Sequence, residues 1–270
     1  MATQGDSGVE LARVDGVELA YEVFGEKDRP AILLIMGLGS QMVIWDEEFC
    51  RGLAELGFRV IRFDNRDIGL STKLSQHGWP DFERLMQLGP QQRQQEAPYT
   101  LDHMAGDAVG LMDSLGVDSA HLAGISMGGM IAQQIALHHP ERVKSLTSIS
   151  SSTGNPKLPQ STPEAQQILY NPLPTEWSEF IQSFRHMWRV FAGPHYPLED
   201  DLLEKWGRLS YERGLSPDGT ARQMAAILAS GNRKKALSGV RVPTLVVHGD
   251  ADPLLPPECG RDTAEAIPGS

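Results

Sequence analysis

One stretch narrows the possible folds of this chain more than any other: Ser119-Ala-His-Leu-Ala-Gly-Ile-Ser126-Met-Gly-Gly-Met-Ile-Ala-Gln-Gln-Ile135. Its first part reads as a short strand ending at Gly124. Its second part reads as a helix starting near Met127, because Met127, Ile131, Gln134, Ile135 and His138 keep a helical period. A serine stands on the bend between them. A strand that becomes a helix within one or two residues forces the residue at the tip into a sparsely populated backbone region, at roughly 1–3 kcal/mol. The bend closes only if its neighbours lack bulk, which Gly124 and Gly128 provide in a G-x-S-x-G spacing. A hydroxyl is thereby held clear of a sheet edge, facing the partly positive N-terminus of a helix. The plain alternative is an ordinary strand–helix turn that happens to contain a serine, so the rest of the chain has to decide.

The flanking sequence alternates strand and helix. Glu10–Val14 and Glu18–Val23 alternate apolar and polar residues about Asp15-Gly16, a hairpin pattern. Ala31–Met36 is a continuous apolar run, expected to be a strand buried on both faces, and it ends in the flexible loop Gly37-Leu38-Gly39-Ser40. A helix is expected from about Met42 to Leu56 and a strand over Phe58–Phe63. The polar turn Asp64–Ser71 and an irregular surface excursion over 74–98 follow. Leu101, Met104, Ala105, Ala108, Leu111, Met112 and Leu115 form one apolar helical face ended by Gly116. Beyond the serine turn, Val143–Ile149 is another strand. Such alternation predicts an α/β fold, a mostly parallel sheet with helices on both faces.

After residue 152 the pattern changes. Residues 153–236 show no buried strand, only helical stretches such as Glu176–Phe191 and Gln223–Ala229. Trp177, Phe180, Ile181, Phe184, Met187 and Trp188 lie along one face of the first. These aromatics either pack a helical subdomain or line a hydrophobic pocket. Val242–Val247 is again read as a buried strand, His248-Gly-Asp-Ala-Asp252-Pro as the turn leaving it, and Pro257–Ala266 as a helix. The expected organisation is a core over 1–152, a helical cap inserted over 153–236, and the core resumed over 237–270.

Composition excludes several roles. A net charge of −11 without a basic run argues against nucleic acid and anionic membranes as partners. Cys50 and Cys259 form no metal-ligand spacing and no disulfide framework, so neither a metal nor a cofactor is expected, and a reducing compartment is. Met1–Gly8 lacks the charged and apolar regions of a leader, and no apolar run reaches membrane-spanning length. The expectation is a cytoplasmic protein.

Four segments in fixed order carry a resemblance: Ile35-Met36-Gly37-Leu38, Phe63-Asp-Asn-Arg-Asp-Ile-Gly-Leu-Ser71, Gly124–Gly128, and His248-Gly-Asp-Ala-Asp252-Pro-Leu-Leu-Pro256. Together they resemble the α/β-hydrolase family, and the Met-Gly loop and Asp-Asn-Arg-Asp turn resemble its aclacinomycin methylesterase and enol-lactonase-like branch. The resemblance implies a serine hydrolase acting on a small, hydrophobic carboxylic ester or lactone through an acyl-enzyme. A serine hydroxyl needs a base to become a nucleophile, and the acyl intermediate needs donors already in place for its oxyanion. Ser126 is the candidate nucleophile. The amide of Met127, which follows it, is one candidate oxyanion donor, and the resemblance makes the Leu38 amide the second. It also places the acid at Asp252, with Asp250 on the same turn as a rival and an Asx-turn as the structural alternative for either.

Two positions depart from the family pattern. Met36 stands where a histidine usually precedes the loop glycine, and no histidine follows Asp252, where the family carries its base. His138 and His139 lie roughly 18 Å along the helix from Ser126, and His121 roughly 16 Å back along the strand. The expectation is therefore that the base, the last strand and a closing helix lie outside these residues, and that the 270-residue chain alone is nearly inactive. Two further readings remain open: a non-catalytic binding relative, and a cofactor-free carbon–carbon hydrolase or perhydrolase.

Overall fold

A computed structural model describes residues 8–270. The absence of a leader, read over Met1–Gly8, falls largely on residues outside that range. Seven strands are present: β1 (Glu10–Val14), β2 (Val17–Phe24), β3 (Ala31–Ile35), β4 (Arg59–Phe63), β5 (Ala120–Ile125), β6 (Val143–Ile149) and β7 (Thr244–Val247). They form one sheet in the order β1-β2-β4-β3-β5-β6-β7. The β1–β2 hairpin and the β2–β4 pairing are antiparallel, and β4, β3, β5, β6 and β7 run parallel. The chain fills one side of β3 with β4 and then crosses to the other side for β5. That reversal opens a crevice at the carboxyl ends of β3 and β5, where doubly wound sheets hold their ligands.

Helices α1 (Glu47–Glu55), α2 (Phe82–Gln87), α3 (Pro90–Glu96), α4 (Leu101–Ser114) and α5 (Met127–His138) lie between the strands. Between β6 and β7 come α6 (Pro163–Tyr170), α7 (Trp177–Ala192), α8 (Asp200–Glu212), α9 (Pro217–Ser230) and α10 (Lys234–Leu237), and α11 (Pro257–Ala266) follows β7. The main core joins α4 and α5 to one sheet face through Leu33, Ile61, Phe63, Leu101, Leu122 and Ile131. Cys50 on α1 meets Phe24, Leu34 and Val60 on the other face.

Three local expectations need correction. The single helix expected over 42–56 is a short 3-10 turn, Met42–Ile44, followed by α1. Asp46 caps α1 by accepting from the Glu48 amide at 3.0 Å, and that cap fixes the later start. The excursion over 74–98 contains α2 and α3, the first begun by an Asp81 cap on the Arg84 amide and the second by Pro90. Among the described residues β7 is the outermost strand on its side and is not buried on both faces, with Leu245 and Val247 57 % and 44 % exposed. An apolar run marks β structure, and it cannot distinguish a centre strand from an edge.

Candidate active site

Ser126 follows the last residue of β5 and precedes the first of α5, at φ 55° and ψ −120°. Hydrogen bonds hold that strained conformation from both sides. The Ser126 amide donates to the Ile149 carbonyl at 2.9 Å, and its carbonyl accepts from Ser151 Oγ at 2.7 Å and the Gly129 amide at 3.0 Å. The two glycines are required by close approach. A Cβ at Gly124 would overlap the Gly128 carbonyl, and a Cβ at Gly128 would overlap the Ile35 carbonyl at the end of β3. The hydroxyl of Ser126 makes no capping bond to the helix. It is left at the N-terminus of α5 with the Met127 amide beside it.

The loop after β3 passes directly over this serine. A Cβ built on Gly37 would stand 3.3 Å from Ser126 Cβ and 3.8 Å from its Oγ. Ser126, Met127 and the Gly37-Leu38 segment thus meet at the crevice between β3 and β5. Met36 is 3 % exposed and packs with Ile44, Phe180, Phe184 and Trp206. Its carbonyl accepts from Asn65 Nδ2 at 3.0 Å, so the polar support of this loop comes from the turn after β4.

That turn is the centre of a buried polar network. Asp64 is 0 % exposed and accepts from the Met42 amide at 2.8 Å and from Arg213 Nη2 at 2.5 Å. Arg66 pairs bidentately with Asp107 on α4 at 2.6 and 2.7 Å and lies over the Tyr99 ring. Asp67, in the left-handed region at φ 73°, accepts from Arg222 at 2.8 and 2.9 Å and from the Tyr99 hydroxyl at 2.8 Å. Burial next to that carboxylate pushes the Tyr99 hydroxyl far above its ordinary pKa. Arg213 and Arg222 come from the segment after β6, so these ion pairs seat α9 and the end of α8 on the core.

Asp252 lies on the turn after β7. Its Oδ1 accepts from the Leu254 and Leu255 amides, both at 2.9 Å, and its Oδ2 faces His248 Nε2 at 3.6 Å. Asp250 is exposed on the same turn. Register aligns the ends of β5, β6 and β7 through Ile125, Ile149 and Val247. Ile125 and Val247 therefore end at the same carboxyl end of the sheet two strands apart, about 10 Å laterally, with Ser126 following the first directly and Asp252 on the turn after the second. No hydrogen bond joins the two side chains among the described residues. The contacts of Asp252 are all within its own turn, apart from the Ser126–Leu38 group.

The chain has eight histidines, and those with structural partners are occupied elsewhere. His248 Nε2 is 2.7 Å from the Leu255 carbonyl, and its ring is closely packed against Gly260 on α11. His103 caps α4 at Thr100, His121 meets Ser145 Oγ at 2.8 Å, and His138 pairs with Asp102 at 3.2 Å. Among the described residues none hydrogen-bonds to Ser126.

Residues 30–270 match the family model for the alpha/beta hydrolase fold. The chain belongs to the α/β-hydrolase family. It is 28 % identical to rhodomycin D methylesterase of Streptomyces peucetius, over 95 % of this chain and 86 % of that protein. It is 25 % identical to 3-oxoadipate enol-lactonase 2 of Acinetobacter baylyi, over 93 % of this chain and 82 % of that one. The enol-lactonase structure from Burkholderia xenovorans LB400 superposes with a TM-score of 0.70 at 25 % identity, covering 96 % of this chain and 88 % of that one.

In this α/β-hydrolase the apolar cluster of α7 and α8 reaches the carboxyl end of β5. Phe180, Phe184, Leu203 and Trp206 form its buried centre, and Ile125, the neighbour of Ser126, packs against it. An open cleft of about 590 Å³ runs between α6, the end of α7 and Ala251–Pro253, where it flanks Asp252 and does not touch Ser126. Sequence reasoning missed Asn65, Arg213, Arg222 and Gln223. The first was visible within the Asp-Asn-Arg-Asp turn, whereas the others lie in an amphipathic helical region with nothing local to separate a buried arginine from a solvated one. Among the described residues no helix is long and apolar enough to cross a membrane.

Proposed function

We propose that this protein is a serine hydrolase of small, hydrophobic carboxylic esters or lactones, with Ser126 as nucleophile and an acyl-enzyme intermediate. The single observation that carries the reading is the strained Ser126, placed at a helix N-terminus and within van der Waals reach of the Gly37-Leu38 loop. The amides of Met127 and Leu38 are the proposed oxyanion donors. Electrostatic stabilisation of this kind works best when the donors are fixed before reaction, and both lie on braced backbone. Asp252 is the proposed acid. Its two backbone hydrogen bonds fix the carboxyl group in position to orient an imidazolium. We assign no residue of this chain as the base. The reading requires a histidine seated between Asp252 and Ser126, and among the described residues none hydrogen-bonds to Ser126.

The helices over 153–236 act in this reading as a cap, and their aromatic cluster beside Ile125 supports an apolar acyl or alcohol group. The open cleft near Ala251 does not include Ser126, so the crevice beside the Gly37-Leu38 loop is the proposed reacting site. The test is hydrolysis of p-nitrophenyl butyrate and of a small lactone by protein made from the complete gene, alongside S126A. Loss of the serine should lower turnover by ~10⁶. Equal turnover in the two proteins would overturn the reading, and saturable ligand binding without turnover in either would favour a non-catalytic relative.

A further inference from the structure

The Leu38 amide can serve an oxyanion only if its loop keeps it aimed, and two of the four residues in Gly37-Leu38-Gly39-Ser40 are glycine. The Ser40 amide donates to the Gly37 carbonyl at 3.3 Å, closing a four-residue turn, and Gly39 takes its third position at φ 67° as a type II turn requires. In a trans peptide the Leu38 N–H points opposite to the Gly37 carbonyl, so closing this turn sets the direction of that N–H. The weak point is the central peptide between Leu38 and Gly39, whose rotation converts the type II turn to type I with the Ser40–Gly37 bond kept, and so shifts the loop that carries Leu38.

One side chain clamps that peptide. Gln223 Oε1 accepts from the Gly39 amide at 2.9 Å, and its Nε2 donates to the Arg66 carbonyl at 2.9 Å. Gln223 is 0 % exposed, so an unmade bond here could not be replaced by bulk water. Helix α9 also sits directly on the turn: a Cβ at Gly39 would lie 2.9 Å from Thr220 Cγ2 and Oγ1. Gln223 thereby ties the loop after β3 to the turn after β4 from a helix more than 180 residues away in sequence. We propose that Gln223 is a positioning residue for the reaction, holding the Gly37–Ser40 turn so that the Leu38 amide stays aimed at the acyl oxygen. The proposal rests on the hydrolase reading above, and it makes that oxyanion site depend on α9 being seated.

The experiment compares Q223A, Q223E, S126A and wild type, each made from the complete gene, in p-nitrophenyl butyrate hydrolysis, with circular dichroism defining where each is folded. Deleting an oxyanion donor costs ~10²–10³ in turnover, so an amide that is freed but still present should cost Q223A about 10- to 100-fold in kcat, with KM changed by less than about threefold. In Q223E the ionised carboxylate repels the Arg66 carbonyl, whereas the protonated acid can accept from Gly39 and donate to Arg66. Burial raises the pKa of that acid, so the kcat of Q223E relative to wild type should climb as pH falls from about 8 to about 5, while the Q223A ratio stays flat. A residue needed only for folding would move the thermal midpoint without this kcat-against-KM split. Isosteric Q223E keeps the test decisive should Q223A not fold. A Q223A kcat within about twofold of wild type, or a flat Q223E ratio, overturns the positioning role and leaves the hydrolase reading intact if S126A is inactive. An active S126A overturns both.

Discussion

Replacing Arg222 with methionine tests the attachment of α9 to the core. Both side chains of the Arg222–Asp67 pair are 0 % exposed. The guanidinium donates to the two Asp67 oxygens at 2.9 and 2.8 Å, and to the Gly78 carbonyl and Asp218, both at 2.9 Å. Burial alone would lower the pKa of the arginine, but its hydrogen bonds to Asp67 and Asp218 outweigh it and raise it. Methionine roughly keeps the length of the side chain and removes all four bonds, leaving Asp67 with the Tyr99 hydroxyl at 2.8 Å and the Leu74 amide at 2.7 Å. Removing one partner of a buried pair typically costs about 3–5 kcal/mol, because a charge is left uncompensated. The two surviving bonds to Asp67 place the expected loss near the lower end, about 3 kcal/mol. For a domain of this size that corresponds to a thermal midpoint lower by roughly 6–12 °C. Urea unfolding followed by circular dichroism measures the loss, and the double variant D67N/R222M should recover part of it by removing the stranded carboxylate. A loss below about 1 kcal/mol, or strictly additive losses in the double variant, would refute the reasoning.

Further expectations concern the turn, the acid, the thiols and acid stability. G124A brings a Cβ to 2.6 Å from the Gly129 amide nitrogen, so it should destabilise the protein by about 1–3 kcal/mol or more in the same unfolding assay and lower kcat with it. D252N should lower kcat by about 10⁴, while D250N, on the exposed side of the turn, should stay within about twofold. Cys50 and Cys259 are buried, and burial pushes both thiols up to about 11. Neither should therefore react with an aromatic disulfide reagent at about pH 8 in the native protein, and both should react once it is unfolded. For Asp262, burial raises the pKa, but the hydrogen bonds from Lys234, Thr153 and Asn155 outweigh it and hold the pKa below the ordinary value. A lowered folded-state pKa contributes stability that is full above the unfolded value near 3.9 and is lost as pH falls through the folded one. D262N should therefore show a smaller loss of stability than wild type on acidification below about pH 4, read from urea midpoints.

Much of the fold was legible in the sequence because the signals were local. The continuous apolar run of β3, the one-sided period of α4 and the glycine spacing about Ser126 each reflect a packing demand that their own residues must satisfy. Edge position was not legible, since Leu245 and Val247 are exposed by what lies beside β7 in space. The start of α1 was missed because an Asp46 cap outweighs the apolar residues before it. At the candidate site, Ser126, Met127 and Leu38 were readable from spacing and family resemblance, and the structure gathers them at one crevice. Asp252 lies on the turn after β7 and makes no hydrogen bond to Ser126, so its role as the acid is a proposal. What supports the Leu38 loop was not readable. Asn65, Arg213, Arg222 and Gln223 act through contacts between distant segments, and a polar residue in a helix carries no local mark of being buried.

The central claim is that the Ser126 hydroxyl is the reacting nucleophile. Labelling with a fluorophosphonate, followed by intact mass and peptide mapping, tests it without knowledge of the natural substrate. Protein made from the complete gene should take up one phosphonyl group, on the peptide containing Ser126, with loss of esterase activity in step, and S126A should take up none. Undiminished ester hydrolysis after Ser126 is fully labelled, or a stoichiometric adduct on another residue, would contradict it.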